Sequence, residues 1–457
     1  MALSPGHFLL LTILSLLLTF VCVAQAFPFI NGYETFIRSL ELLFVGVFLV
    51  HTARSRQALA VRLSTGGWLF LGWLVAASIS VALSSHVVPS LFRHAELLMH
   101  ILFGFTLWHY LRHDPAPLQW ILLLIPLGFF LTGLFLLSFW FSLSDPHAYD
   151  WFDLIPLFGH VRHFGYYGLA GLVFSATPLL GFGPKTVRQR RILAFAALSI
   201  CWGFLFFTGG RAAVGSGVIA LLPFIWFAGR GQRAWAAGLV LAAAGVGLLL
   251  SSFFWVEHPY LGFVTMLERT ADAAAAQSIN GVSTGRLSIW SIALQGVEGH
   301  LWFGLGPDGY RYLPQPHHGV QPHSMLVQFI VEWGVVGSVL FVSLLFVVFR
   351  TAYRRLREEQ DPLRKTARVA ACALILGATL HGLVSGLYYH AQPLLFLYLC
   401  FAIALLPTRP LPYSDVRHPI FRHLTSRRTL CIATVLLALL FILNSDLPYR
   451  LLQAWGG

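Results

Sequence analysis

Charge is scarce in this chain, and lysine is scarcer still. Only 11% of the 457 residues are charged, against about 25% in an ordinary soluble domain, and Lys185 and Lys365 are the only lysines. That shortage excludes a conventional water-soluble globular fold. Cysteine is also sparse. Cys22, Cys201, Cys372, Cys400 and Cys431 each lie within an apolar run, which argues against a disulfide framework or a thiolate metal site. The sequence has no internal repeat and no low-complexity tract, so a solenoid or a disordered linker is not indicated.

What the chain has instead is hydrocarbon. Hydrophobic residues make up 57% and the mean hydropathy is +0.73. A bilayer core of roughly 30 Å needs about 17 to 25 helical residues, and twelve apolar runs suit that length. They are Leu9 to Ala26, Phe36 to Val50, Trp68 to Leu83, Phe92 to Tyr110, Leu118 to Phe141, Phe164 to Leu180, Ile192 to Thr208, Ala212 to Phe227, Ala234 to Phe254, Ser324 to Phe349, Val369 to Tyr389 and Pro393 to Leu406. Leu430 to Asn444 is a short further candidate. The first run has no basic segment ahead of it and is read as a span, not a signal peptide. The expectation is an all-α polytopic integral membrane protein with about twelve transmembrane helices. Residues 1–254 form the N-terminal helices with a short periplasmic loop at 142–163. Residues 255–323 form a large helical periplasmic loop that carries the site residues, and residues 324–457 form the C-terminal helices with basic cytoplasmic loops.

The net charge of +12 comes almost entirely from arginine, and its distribution sets the orientation. With a cytoplasmic N-terminus, 22 of the 30 basic residues fall on the inner side, as the positive-inside rule requires. These residues read as topology signals and lipid-headgroup contacts, and no nucleic-acid footprint is expected. The remaining eight, Arg38, Arg93, Arg162, Arg211, Arg269, Arg286, Arg311 and Arg450, are not explained by that rule. Two long outer segments, Ser142 to His163 and Trp255 to His323, hold four of them, and loops of such length commonly carry function. Within the second, Val264 to Ala276 and Leu287 to Val297 read as helices, the latter with Trp290 and Leu294 on one face, as suits a helix lying at the interface.

Three short patterns carry chemistry. Thr208-Gly209-Gly210-Arg211 stands at the opening of a span, where an anion meets a guanidinium together with free helix N-terminal amides; the plainer reading is an arginine snorkelling from a helix end. Ser283-Thr284-Gly285-Arg286 has the same form ahead of another helix. Two such arginines can clamp a diphosphate and neutralise it as it leaves, whereas a lone one is often just an exposed loop residue. His323 opens the span after the long loop, where imidazole can orient or deprotonate a hydroxyl or simply sit at the interface with its hydrogen bonds met. No carboxylate or cysteine is spaced around His317, His318 and His323 as a ligand set requires, so neither metal nor cofactor is expected. Arg93, Glu96 and His100 share a helical face, as do Arg38 and Glu41, and pairing within each helix is expected. Glu332, inside a span, requires a partner.

These residues also carry a resemblance. Thr-Gly-Gly-Arg-Ala at 208–212, Ser-Thr-Gly-Arg-Leu-Ser-Ile-Trp at 283–290, Gly-Leu-Gly-Pro-Asp-Gly-Tyr at 304–310 and the stretch from His323 to Gly337 together resemble the O-antigen ligase and O-antigen polymerase superfamily of bacterial inner membranes. The resemblance implies inverting, metal-independent glycosyl transfer from an undecaprenyl-diphosphate-linked glycan at a periplasmic site. In ligases the acceptor is the lipid A-core oligosaccharide; in polymerases of O-antigen or exopolysaccharide it is another lipid-linked repeat. By position, Arg211 and Arg286 match the arginines that hold the donor diphosphate, and His323 matches the histidine that opens the span after the large outer loop; the resemblance implies that these three are the catalytic residues. Arg162, His318 and Arg311 are added as substrate-binding candidates by location alone. Ser324 replaces the family's usual asparagine, which bears on the acceptor. A transporter of lipid-linked sugars is the non-enzyme alternative. It would place charged groups within broken helices at mid-membrane, whereas most here crowd the outer ends, His381 being the main exception.

Overall fold

A computed structural model describes residues 5–20, 32–54, 64–158, 160–179, 188–228, 230–275, 283–313 and 321–409. Among these the regular structure is entirely helical. The helices are α1 (Pro5–Phe20), α2 (Gly32–Arg54), α3 (Thr65–Leu83), α4 (Val87–His113), α5 (Pro117–Ser142), α6 (Val161–Leu179), α7 (Arg188–Phe207), α8 (Arg211–Phe227), α9 (Arg233–Phe253), α10 (Phe263–Ala275), α11 (Arg286–Gln295), α12 (Met325–Glu358), α13 (Pro362–Gly382) and α14 (Ala391–Ala404). Each of the twelve apolar runs is mainly helical where it is described, the run at 369–389 leaving α13 at Gly382 for a turn and the short 3-10 segment Leu387–Tyr389, and Leu430 to Asn444 lies outside the described residues.

Among the described residues, five helices are long and apolar enough to cross a bilayer: residues Glu34–Thr52 of α2, then α3, α5, α9 and α12. The others are shorter or carry more polar groups for a physical reason. His94, Glu96, His100, His109 and Arg112 of α4 are all buried within the bundle, so protein rather than lipid surrounds them. A buried ladder joins α4 to α2: Arg38 pairs with Glu96 at 2.8 Å and His100 with Glu41 at 2.7 Å, while Arg93 completes the Glu96 pair at 2.5 Å. The Arg93–Glu96 pair within α4 forms as expected. The Arg38–Glu41 pair within α2 is replaced by contacts across helices, because a charged group buried between two helices is best neutralised by the facing one.

The largest departure from regular helix is in α12. Gly334 has φ 63° and ψ −170°, a conformation open essentially to glycine alone, and it breaks the helix into two. The break frees backbone groups that hydrocarbon cannot satisfy, and the Gly304 motif supplies their partners. Leu305 N–H donates to Val331 O (2.7 Å) and Gly306 N–H to Glu332 O (3.1 Å), while Val335 N–H and Val336 N–H donate to Leu301 O (2.8 Å) and Trp302 O (3.2 Å). Gly304 has φ 71°, and a β-carbon on it would lie 2.6 Å from Gly334 N. The glycine-rich loop is thus a clasp on the broken helix. Gln328 Nε2 donates to Glu332 Oε1 at 3.0 Å, which gives that carboxylate its partner.

Helix α11 differs from its expected placement. Ile289 and Ala293, with Val297 just past its end, form its buried stripe and pack on Tyr310, Val327 and Val331, whereas Leu294 is exposed. The i, i+4, i+8 spacing of these apolar residues turns the helix onto α12, and Trp290 Nε1 donates to Pro322 O at 3.0 Å. That bond ties α11 to the turn just ahead of His323.

Candidate functional site

Helices α8 and α11 begin alike. Each is preceded by a glycine, Gly210 or Gly285, that provides no side-chain cap, and each has an arginine as its first residue. Neither start has a capping side chain, although the Arg286 N–H donates to Ser283 O at 3.3 Å. Gly209 allows the chain to reverse into α8 with φ +59°, and a β-carbon there would strike the Tyr260 carbonyl. Gly285 does the same ahead of α11 with φ +77°.

Both helix starts open into one cavity of about 470 Å³. Its lining includes Arg162 and Tyr166 from the start of α6, Thr208 to Ala213, Arg269 from α10, Ser283, Thr284, Arg286 and Trp290, then His323, and His381 with Ser385 at the end of α13. Four guanidinium groups face this space, and none of its lining residues is a carboxylate. Such a cavity concentrates positive potential and suits a ligand rich in acceptor oxygens.

The local electrostatics agree. Burial, reinforced by Arg162 and Arg211, pushes the Arg286 guanidinium down from its ordinary value to about 10. Burial, with Arg211 again adding repulsion, also lowers Arg269. Both shifts mean that the empty cavity disfavours its own cations, and an arriving polyanion relieves that. Arg286 Nη1 donates to Ser283 O at 3.0 Å and also to Thr284 Oγ1, while Nε is buried without a hydrogen-bond partner. Arg269 Nη2 donates to Gly209 O at 2.9 Å and to Tyr260 O at 3.3 Å. It therefore braces the turn that presents Arg211.

Of the residues singled out from sequence, Arg162, Arg211, Arg286 and His323 come together here. Arg311 does not line the cavity; its guanidinium lies 3.5 Å from Asp308 Oδ2 and donates to the Tyr389 hydroxyl at 3.1 Å, and that hydroxyl donates to Asp308 Oδ1 at 2.6 Å. Burial raises Asp308 above the ordinary carboxylate value, against the bond from Tyr389 and the charge of Arg311. This cluster holds the loop beside the clasp. His318 lies outside the described residues. Sequence reading did not assign Arg269, although it belongs to the outer arginines that topology leaves unexplained. It also missed His381 and Ser385, which reach the site because α13 ends beside it.

A second hollow of about 460 Å³ is almost wholly apolar, lined by Leu134, Leu137, Phe195, Ile200 and Val246 among others of α5, α7 and α9, and by Phe254 just beyond α9. The two share chain neighbours: Phe207 lines one and Thr208 the other, as do Phe164 and Gly165. An arginine-rich cavity and an apolar hollow within a bundle of apolar helices are the features of a multi-pass membrane protein. Residues 194–342, from α7 into α12, match the family model described as O-Antigen ligase, and the resemblance carried by the motifs holds over that segment. The match includes Arg211, Arg269, Arg286 and His323. No curated protein matches the chain.

Proposed function

We propose that the protein is an O-antigen ligase of the bacterial inner membrane, transferring an undecaprenyl-diphosphate-linked glycan onto the lipid A-core oligosaccharide at a site facing the periplasm. In this reading all twelve apolar helices span the membrane, residues 255–323 form the periplasmic loop between the N-terminal helices of 1–254 and the C-terminal segment 324–457, and the bilayer lipids are the medium through which donor and acceptor arrive. The single observation that carries it is the convergence of Arg162, Arg211, Arg269, Arg286 and His323 on one cavity beside an apolar groove. The guanidinium groups grip the diphosphate, and the polyprenyl chain runs into the groove. His323 meets the reacting groups, with Trp290 holding the turn before it.

The chemistry follows from those placements. An acceptor hydroxyl forms a new bond to the anomeric carbon as the bond to the diphosphate oxygen breaks; the electron pair leaves with the diphosphate and the hydroxyl's proton passes to solvent. Fixed positive charge aimed at the oxygen where negative charge builds lowers the barrier, and a diphosphate so neutralised is a good leaving group without a metal. The leaving diphosphate and the attacking hydroxyl stand on opposite sides of the anomeric carbon, which gives inversion.

The test is reconstitution. Purified protein is incubated with a lipid-linked glycan and, separately, with lipopolysaccharide lacking O-antigen or with further lipid-linked repeats, each with and without excess chelator. Transfer to lipopolysaccharide, undiminished by chelator, is expected. Longer glycans on the lipid carrier in the absence of that acceptor identify a polymerase instead, and activity abolished by chelator overturns the metal-independent step.

A further inference from the structure

Helix α12 runs past the start of α3. Its face at Leu344 and Val347 packs on the first turn of α3, where a β-carbon on Gly66 would lie 3.5 Å from Val347 Cγ1 and 3.9 Å from Leu344 Cδ1. Beyond Thr65 the same side of α12 continues as Arg350, Thr351 and Arg354, and there it borders a hollow of about 720 Å³ shared with Tyr353, Arg357 and Glu358. Arg355, Arg364 and Arg368, close by in the chain, are claimed by the Leu405 carbonyl or by Glu359. Arg350, Arg354 and Arg357 are exposed and have no ion-pair or hydrogen-bond partner among the described residues.

Depth decides what such a hollow meets. Arg350 stands 25 residues beyond Met325, roughly 38 Å at 1.5 Å per residue, whereas the hydrocarbon core is about 30 Å thick. Since α12 begins at the arginine cavity, this hollow lies at headgroup level on the opposite membrane surface. On the way there both helices turn apolar residues outward: Trp68, Leu71 and Val75 of α3, and Val339, Val342 and Phe346 of α12, are all exposed. Tyr353, also exposed, stands where an aromatic ring suits the boundary between hydrocarbon and headgroups.

We propose that the hollow is a binding site for an anionic phospholipid, its phosphate held by Arg350, Arg354 and Arg357 and its acyl chains lying along the exposed stripes of α3 and α12. Guanidinium groups grip phosphate oxygens as paired donors. Three of them against the single carboxylate of Glu358 leave two positive charges in excess, which favours a headgroup of net negative charge over a zwitterionic one. The site is remote from the arginine cavity, and the inference does not depend on glycosyl transfer.

The test is photolabelling of the full-length protein in phosphatidylcholine nanodiscs. A trace of phosphatidylglycerol carries a photoreactive group on its acyl chain, a parallel preparation carries the same group on phosphatidylcholine, and labelled peptides are located by mass spectrometry. Phosphatidylglycerol is expected to label residues 339–357 and 65–75, with phosphatidylcholine labelling them several-fold less. Arg350→Gln combined with Arg354→Gln should lower the apparent affinity roughly 10- to 30-fold, the scale of two arginines facing an anionic headgroup. Inorganic phosphate at matched ionic strength should leave the label in place. Equal labelling by the two lipids, label confined to other segments, or undiminished labelling of the double variant overturns the proposal. Loss of the label to inorganic phosphate also overturns it, because the hollow then holds a free ion and not a lipid. Should the double variant fail to accumulate, the comparison of the two lipids on wild-type protein decides alone.

Discussion

Arg286→Ala is expected to reduce glycan transfer by about 10²- to 10³-fold, the range found when one preorganised donor to a developing anion is removed, while the melting temperature stays the same or rises. The two halves of that expectation have one cause. Arg286 is buried, its cation is opposed by Arg162 and Arg211, and its Nε has no protein partner. Removing it takes a repulsive charge out of the empty cavity, so the resting fold gives up only the contacts to Ser283 and Thr284. The ligand, however, loses a bidentate clamp. Arg286→Lys should recover little, since a single ammonium cannot reproduce the guanidinium fork. The measurement is transfer rate in a reconstituted assay beside thermal unfolding of the same preparation. Equal rates for wild type and Arg286→Ala would remove this residue from the site.

Gly334→Val is expected to prevent accumulation of folded protein. A β-carbon at this position would run into the backbone of Trp302 and Phe303, and the φ 63°, ψ −170° conformation is itself denied to a branched side chain. The penalty is on the order of 3 kcal/mol for the backbone alone, before the clasp of Leu301 to Gly306 is displaced. Losing the clasp exposes the free backbone groups of α12 and shifts the chain leading to His323. Gly245→Ala, in mid-helix where a β-carbon meets nothing within 4 Å, should be neutral or mildly stabilising and serves as the control. Monodisperse yield in detergent reads both, and a well-folded Gly334→Val at wild-type yield would show that the break is not required.

Much of the fold was legible because apolar runs announce helices whatever surrounds them. Helix α9 begins and ends within one residue of its run, from Arg233 to Phe253. The run assigned to Val369–Tyr389 was displaced for a physical reason. Asp361 caps α13 by accepting from Arg364 N–H at 2.8 Å, and Pro362 starts it, so the helix begins in a basic stretch that hydropathy discounts. Buried Arg368 is held by Glu359 at 3.0 Å and by the carbonyls of Ala404 and Leu406. Such pairs join residues distant in sequence, which is also why the Arg38–Glu96 contact was out of reach.

The site divides in the same way. Arg211 and Arg286 were legible because each combines glycine, arginine and a helix start within four residues. His323 was legible as a polar residue at the mouth of an apolar run. Arg269 was visible only as part of an arginine surplus, since its brace to Gly209 depends on how α10 folds back. His381 read as an anomaly within a span, and only the end of α13 beside the cavity gives it a place. The Gly304 motif was noticed for its glycines, but its work as a clasp needed the broken helix to be seen.

The most direct measurement is a structure of the full-length protein in nanodiscs with a polyprenyl diphosphate bound. The diphosphate is predicted within hydrogen-bonding distance of the Arg211 and Arg286 guanidinium groups, with its hydrocarbon chain in the groove between α5, α7 and α9. A lipid diphosphate bound elsewhere, with the arginine cavity vacant, would contradict the account.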